Sequence, residues 1–295
     1  MIPAQETRDP RALLIAQITD IHVGFAPDEK PEELNLTRFR AVLERLFHGP
    51  NVPDLLVLSG DITDHGDGES FAKTAALLEC GPCPIVPMVC NHDSREGLLG
   101  AFPHMEAAEG GFLHWAFEMA GLRIICLDSL EDGRHGGAFC EARAAWLTAR
   151  LAEAPETPTL IFLHHPPVVA GIDWMDPAPD EPWIVRLRSV LEGQTQVQAI
   201  HCGHLHRQIT TRFAGIPLGV TPSVAPLVAM DLSAIDQDVP DDRELITTEP
   251  PTYALHRWDG QRLVSHYERV GDWQVLARYT QGLQPMIRDM FAERG

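Results

Sequence analysis

Positive charge is scarce in this chain. Lys and Arg number 23 against 42 Asp and Glu, a formal net charge of −19. Nucleic-acid polymers and anionic membranes are bound through Lys and Arg that release counterions, so this balance argues against both as partners. A small anionic substrate stays open, because bound cations reverse the sign locally. Long hydrophobic runs are missing too, and no apolar stretch reaches transmembrane length. The segment Met1-Ile2-Pro3-Ala4-Gln5-Glu6 lacks the basic and apolar stretches of a secretory signal. Six cysteines without the spacing of a small disulfide scaffold suggest reduced thiols and a cytoplasmic location. In that compartment the glycosylation sequon at Asn35-Leu36-Thr37 carries no meaning. No internal repeat is apparent, and the one biased tract is the acidic stretch from Met230 to Pro251.

What is present is an alternation of short apolar runs and amphipathic segments. Strands are expected at Leu13 to Ile18, Leu55 to Leu58, Ile85 to Val89, Leu122 to Leu127, Thr159 to Leu163 and Val197 to Ile200. Helical spacing marks Leu34 to Phe47, with Leu36, Phe39, Val42, Leu43, Leu46 and Phe47 on one face, and helices are also expected at Ser70 to Leu78 and Glu141 to Ala152. This order predicts an α/β fold, a sheet layered with helices, with ligands gathering at the carboxyl ends of its strands. Near the C-terminus, Asp259-Gly260 between two alternating segments reads as a two-residue hairpin turn. Residues 1–222 are read as the core of the fold. Residues 223–295 are read as an acidic cap loop, this hairpin and a peripheral arm, without forming an independent domain.

Five clusters of metal-type residues fall where those strands end: Asp20-Ile21-His22, Gly60-Asp61-Ile62-Thr63-Asp64, Asn91-His92-Asp93, His164-His165 and Gly203-His204-Leu205-His206. Any one Asp-x-His is weak evidence. Five such clusters, each following an apolar strand, point to one site assembled from distant sequence. Asp20 and His22 are expected to share a face because extended residues i and i+2 do, and His204 and His206 repeat the spacing. Asp61 has two carboxylate oxygens and can bridge two cations, Asn91 offers a neutral oxygen, and His164 offers an imidazole nitrogen. Such mixed nitrogen and oxygen ligation without thiolate suits two divalent ions of Mn, Fe, Co or Zn.

Together these motifs resemble the calcineurin-like metallophosphoesterase superfamily, and within it the bacterial class III cyclic-nucleotide phosphodiesterases and glycerophosphodiesterases. The run Ile161-Phe162-Leu163-His164-His165-Pro166-Pro167 is similar to that subgroup as well. The resemblance implies a four-layer α/β/β/α sandwich with a C-terminal cap and hairpin extension. By position it implies that Asp20, His22, Asp61 and His206 hold one metal, and that Asp61, Asn91, His164 and His204 hold the other. It implies that His92 contacts the phosphate and leaving group and that Asp64 orients His92, although a carboxylate there also fits a loop cap. Asn91 and His92 would bind substrate, and His65 could line its mouth. The implied activity is metal-dependent hydrolysis of a small phosphodiester, of cyclic-nucleotide or glycerophosphodiester type, by a metal-bridging hydroxide. The alternatives are a phosphomonoesterase of the same superfamily or a non-catalytic scaffold. Retention of all seven ligand-type residues disfavours the scaffold, and Asp64-His65-Gly66 with Asn91-His92-Asp93 favours the diesterase branch. The same resemblance, with the C-terminal arm, suggests a homo-oligomer.

Some features depart from that pattern or stand outside it. Cys90 occupies a position usually held by glycine, so either its backbone is conventional or strain is stored beside Asn91, weakening the second metal site. Cys80-Gly81-Pro82-Cys83 has the letters of a redox motif, but a helix precedes it and a strand follows, which favours a plain turn. His201 reads as a packed core histidine, Asp128 as a turn residue, and His165 as either facing or backing the site. Trp174, Met175 and Asp176 lie in a proline-rich loop that could reach over the metals.

Overall fold

The computed structural model describes residues 12–25, 33–108 and 110–294. The segment Met1 to Glu6, read above for a secretory signal, lies outside them. Among the described residues no helix is long and apolar enough to cross a membrane.

Strand β1 (Leu13–Ile18) is buried along its whole length, as are β2 (Leu55–Leu58), β5 (Leu122–Leu127) and β6 (Thr159–Leu163). Continuous apolar runs of this kind are what strands covered on both faces require. In the first sheet β1, β2 and β3 (Ile85–Pro87) are parallel. β12 (Thr252–Trp258) adds antiparallel to β1, and β13 (Leu263–Arg269) forms the outer edge, giving the order β13-β12-β1-β2-β3. Residues beyond 222 thus complete the first sheet. Their hairpin turns through residues 259–262 instead of Asp259-Gly260 alone, because Trp258 pairs with Leu263 and the Asp259 carboxylate accepts the amides of Gln261 and Arg262.

The second sheet has the order β4-β5-β6-β7-β9-β8, built with β4 (Trp115–Met119), β7 (Val197–Cys202), β8 (Ile209–Phe213) and β9 (Ile216–Val220). β5, β6, β7 and β9 are parallel, and the two edge strands are antiparallel. β10 (Leu227–Val228) and β11 (Ile246–Thr247) form a separate small pair.

Side-chain alternation sorts each strand between two layers. Leu13 and Ile15 of β1, Leu55 and Val57 of β2, Leu122, Ile124 and Cys126 of β5, and Leu160 and Phe162 of β6 fill a layer between the sheets. Their neighbours face outward. Leu14, Ala16 and Ile18 pack with Phe39, Val42, Leu43 and Leu46 of α1 (Leu34–His48), Phe71 and Leu78 of α2 (Gly68–Leu78), and Leu98 of α3 (Arg95–Ala101). Ile125, Ile161 and Ile200 pack with Leu147 and Leu151 of α4 (Glu141–Glu153) and Ile184 and Leu187 of α5 (Pro182–Leu191). This is the expected four-layer sandwich, and each fully buried large apolar side chain contributes about 1.5–3 kcal/mol. α2 starts two residues before the expected Ser70 because Asp67 caps it, accepting the Ser70 amide at 2.9 Å, and Ser94 caps α3 through the Gly97 amide. A last helix, α6 (Gln284–Ala292), has no buried side chain.

The two cysteine questions are answered by the backbone. Cys80 and Cys83 lie in the turn between α2 and β3, where burial pushes the Cys83 thiol up to about 11, opposite to what a redox thiol needs. Cys90 is buried and is not among the residues with positive φ, so this turn does not call for glycine. All six cysteines are free thiols.

Candidate metal centre

All five clusters meet at the carboxyl ends of the parallel strands. Asp20 and His22 follow β1, Asp61 and Asp64 follow β2, and Asn91 and His92 follow β3, all from the first sheet. His164 follows β6, and His204 and His206 follow β7, from the second. The turns interlock: the amides of Ile21 and His22 donate to the Asp61 carbonyl at 2.8 and 3.0 Å, and the Gly203 amide donates to the His164 carbonyl at 3.0 Å. The His204 amide lies 3.0 Å from both Asp20 carboxylate oxygens, tying one sheet to the other.

Strand alternation does not bring Asp20 and His22, or His204 and His206, together. Asp20, His22, Asp61, His204 and His206 all adopt left-handed backbone, with φ between 48° and 69°. Side chains disfavour this region, at a cost on the order of 1–3 kcal/mol per residue, and the surrounding turns impose it. Gly60 has φ +104° and sits so close to the site that a Cβ there would lie 2.5 Å from His164 Nδ1.

Three imidazoles are aimed by the same device. His164 Nδ1 donates to the Ser59 carbonyl at 2.8 Å, His206 Nδ1 donates to the Pro226 carbonyl at 2.9 Å, and His22 Nδ1 lies 3.1 Å from Asp64 Oδ1. A proton on Nδ1 leaves Nε2 as a lone pair. His206 Nε2 faces Asp20 Oδ1 at 3.2 Å, and His164 Nε2 faces Asp61 Oδ2 at 3.2 Å and Asp20 Oδ1 at 3.7 Å. His22 Nε2 lies 3.8 Å from Asp61 Oδ2 and only 3.3 Å from His206 Nε2. Two lone pairs facing each other and two carboxylates repel unless protons or a metal cation lie among them. His164 Nε2 is also buried with no hydrogen-bond partner among the described residues. The donor atoms of Asp20, His22 and His206 lie within 4.8 Å of one another, as do those of Asp61, His164 and His204. This donor set fits two divalent cations.

Without a cation, a proton takes its place between the carboxylates and the imidazoles. Burial opposes charge on Asp61, but His164 and His22 hold its carboxyl well below the usual range. Burial likewise opposes protonation of His164, and Asp61 with Asp20 nevertheless lifts it well above the ordinary imidazole value. His204 goes the other way: burial and the adjacent His164 push it down to about 3, so it is neutral and free to act as a ligand.

The remaining expected residues divide. His92 Nδ1 donates to the backbone carbonyl of Asp64 at 3.0 Å, whereas the Asp64 carboxylate is 3.8 Å away. Asp64 therefore steadies His92 through its main chain and gives its carboxylate to His22, which lies nearer. His65 is 72% exposed and does not line the cavity over the site, because its ring turns outward along Asp64. Asn91 is in the cavity wall, with Oδ1 2.9 Å from His165 Nε2. Trp174, Met175 and Asp176 do line this cavity, together with Arg134 and His135, which the sequence reading passed over because their loop has no periodicity. Asp93 closes the third cluster. Its buried carboxylate accepts the amides of Ile62, Thr63 and Cys90 and so staples two ligand-bearing turns. Asp128 pairs with Arg95 through two hydrogen bonds of 2.7 and 2.9 Å, fixing the start of α3 to the loop after β5.

The two-sheet architecture is shared with a dimetal phosphatase from Danio rerio, at a TM-score of 0.59 and 16% identity over 88% of this chain and 97% of that one. The calcineurin-like phosphoesterase family model matches residues 13–208, and the chain belongs to that family. It is 32% identical over 270 residues to a probable glycerophosphodiester phosphodiesterase, GpdQ, of Arcobacter nitrofigilis, covering 89% of this chain and 95% of that protein. It is 33% identical over 223 residues to a probable cyclic nucleotide phosphodiesterase of Rhodopseudomonas palustris, covering 72% of this chain and 77% of that protein. With the 3',5'-cyclic adenosine monophosphate phosphodiesterase CpdA of Escherichia coli the identity is 30% over 212 residues, covering 71% and 75%. The protein is a metallophosphoesterase related to both kinds of diesterase.

Proposed function

We propose that this protein is a metal-dependent phosphodiesterase that hydrolyses small phosphodiesters of glycerophosphodiester or cyclic-nucleotide type. The observation that carries this reading is the buried His164 Nε2, without a hydrogen-bond partner among the described residues and facing the carboxylates of Asp61 and Asp20, beside the grouping of Asp20, His22 and His206. Asp20, His22, Asp61 and His206 would hold one cation, and Asp61, Asn91, His164 and His204 would hold the other. Two divalent ions there supply Lewis acidity toward a phosphoryl oxygen and the means to make a nucleophile from water at neutral pH.

The chain's own residues do the rest. His92 stands in the cavity wall with its Nδ1 proton committed to Asp64, so Nε2 is the atom left for substrate, and a proton held there passes to the departing alkoxide. The Asp64 carboxylate keeps His22 in the tautomer that offers Nε2. The cavity of about 580 Å³ runs from His22, Asp61 and His92 to Trp174, Met175 and Pro166, giving the ester substituents an apolar wall. Arg134 stands at its side, held by Glu131 and Glu181 at 3.2 and 3.0 Å. The names of the two kinds of relative support a diester in preference to a monoester.

The test is a Mn²⁺-reconstituted assay on bis(p-nitrophenyl) phosphate, p-nitrophenyl phosphate and 2′,3′-cyclic AMP. Diester turnover is expected to exceed monoester turnover and to disappear in Asp61→Ala, with metal content measured by elemental analysis. Inactivity on all three with two metals bound would move the protein to a binding role. Preference for the monoester would make it a phosphomonoesterase.

A further inference from the structure

His165 is buried in the wall of the site, beside His164 and His204, with ring centroids 5.2 and 4.7 Å away. Its Nε2 lies 2.9 Å from Asn91 Oδ1 and 3.0 Å from the His135 carbonyl oxygen. A backbone carbonyl only accepts, so Nε2 carries a proton, and that proton requires Asn91 to present its oxygen and not its amide nitrogen. Nδ1 is then a lone pair and must accept. The Ser129 hydroxyl, 2.9 Å away, is placed to donate, with the Cys90 thiol at 3.4 Å as a weaker second donor. The loop that supplies the His135 carbonyl packs tightly on the same ring: a Cβ on Gly137 would lie 2.8 Å from His165 Cβ.

We propose that His165 is a positioning residue that locks the side chain of Asn91, with Ser129 fixing its tautomer and the His135 carbonyl joining Asn91 to the substrate-cavity loop. Through one N–H, His165 fixes which atom of Asn91 faces it and ties the third cluster to the wall that carries Arg134 and His135. This gives Cys90 a setting as well, since its thiol packs on the imidazole that holds the residue next to it.

The inference rests on the metal-site reading for its consequence but not for its geometry, so two readouts separate them. In the metal-free protein, ring-nitrogen NMR should show His165 as the Nε2–H tautomer, and the Asn91 side-chain amide should give one sharp pair of signals that broadens in His165→Ala. An Nδ1–H tautomer, or Asn91 signals unchanged in that variant, overturns the proposal even if the protein binds metal and hydrolyses diesters. On titration with Mn²⁺ alone, His165→Ala should bind its first equivalent like wild type and its second about 10- to 100-fold more weakly. His165→Gln, which restores an N–H at a similar place, should recover most of that loss. Should His165→Ala not fold, Ser129→Ala removes only a hydroxyl and should weaken the second equivalent by a smaller factor while speeding exchange of the Nε2 proton. A second equivalent of wild-type affinity in both variants refutes the positioning role. The expected tautomer in a wild-type protein that binds no Mn²⁺ upholds the positioning and removes the proposed function instead.

Discussion

Gly60→Ala tests whether the second-sheet ligands depend on a backbone that approaches them without a side chain. At φ +104° an alanine is strained, by about 1–3 kcal/mol. Its methyl group would sit 2.5 Å from His164 Nδ1 and 2.8 Å from both His164 Cγ and Cys90 Cβ. Neither residue can yield freely, because both are fully buried, and overpacking of this kind costs about 1–3 kcal/mol more. If His164 moves, its hydrogen bond to the Ser59 carbonyl is lost, about 1 kcal/mol net. The total, roughly 3–7 kcal/mol, is a large share of the 5–15 kcal/mol by which a domain is normally stable. Urea denaturation of the metal-free protein should show that loss as a lower midpoint at unchanged slope, and Mn²⁺ titration should show weakened binding. Gly100→Ala is the control: it lies inside α3, where a Cβ would meet no atom within 4 Å, and it should be neutral or mildly stabilising. A Gly60→Ala protein within about 1 kcal/mol of wild type that still binds two metals would refute the reasoning.

Other consequences are as direct. Asp93→Asn keeps one acceptor and turns the other oxygen into a donor facing the amides of Ile62 or Cys90, so it should destabilise by about 1–3 kcal/mol and weaken metal binding, as read by thermal melts and Mn²⁺ titration. His201 and His256 are buried with ring centroids 3.9 Å apart between the sheets, and burial pushes His201 down to about 3 and His256 well below its ordinary value. The unfolded chain then binds protons that the folded one refuses. Stability should therefore be intact above about pH 6.5 and fall as pH drops toward about 3, by up to about 1.4 kcal/mol per pH unit for each histidine. His201→Gln should flatten that acid limb, and an unchanged pH slope would count against it. The arm beyond residue 270 exposes Trp273, Val275, Leu276, Tyr279, Met286, Met290 and Phe291. If, as we expect, the protein self-associates through this arm, deleting residues 271–295 should lower the sedimentation coefficient to that of a monomer without lowering the melting temperature; an intact chain that already sediments as a monomer contradicts this.

Strands β1, β2, β5 and β6 were legible because they are buried on both faces and so leave unbroken apolar runs ending at polar residues. β4 and β8 left no such mark, since as edge strands they are only partly buried, and α3 is too short for helical spacing to stand out. Which residues meet at the strand ends was readable and their conformations were not. Asp20 and His22 meet through left-handed turns, which the spacing Asp-x-His does not distinguish from an extended strand. Asp64 was assigned to His92, yet its carboxylate bonds His22, a choice fixed by the path of the turn. Arg134 and His135 reach the cavity from an aperiodic loop, and only the folded chain brings them there.

The candidate metal donors divide between the two sheets: Asp61 follows a strand of the first and His164, which reaches across to the Ser59 carbonyl, a strand of the second. The gap between the two is gauged by the side chains that keep the sheets apart, much as the jaws of a calliper are set by the block between them. Leu13, Ile15, Ile124 and Phe162 never touch a substrate, yet they are that block. A methylene added or removed there slides one jaw against the other, because packed interiors transmit such changes instead of absorbing them. The span between the two groups of candidate donors is thus adjustable from the middle of the protein, at positions that an inspection of the cavity alone would pass over.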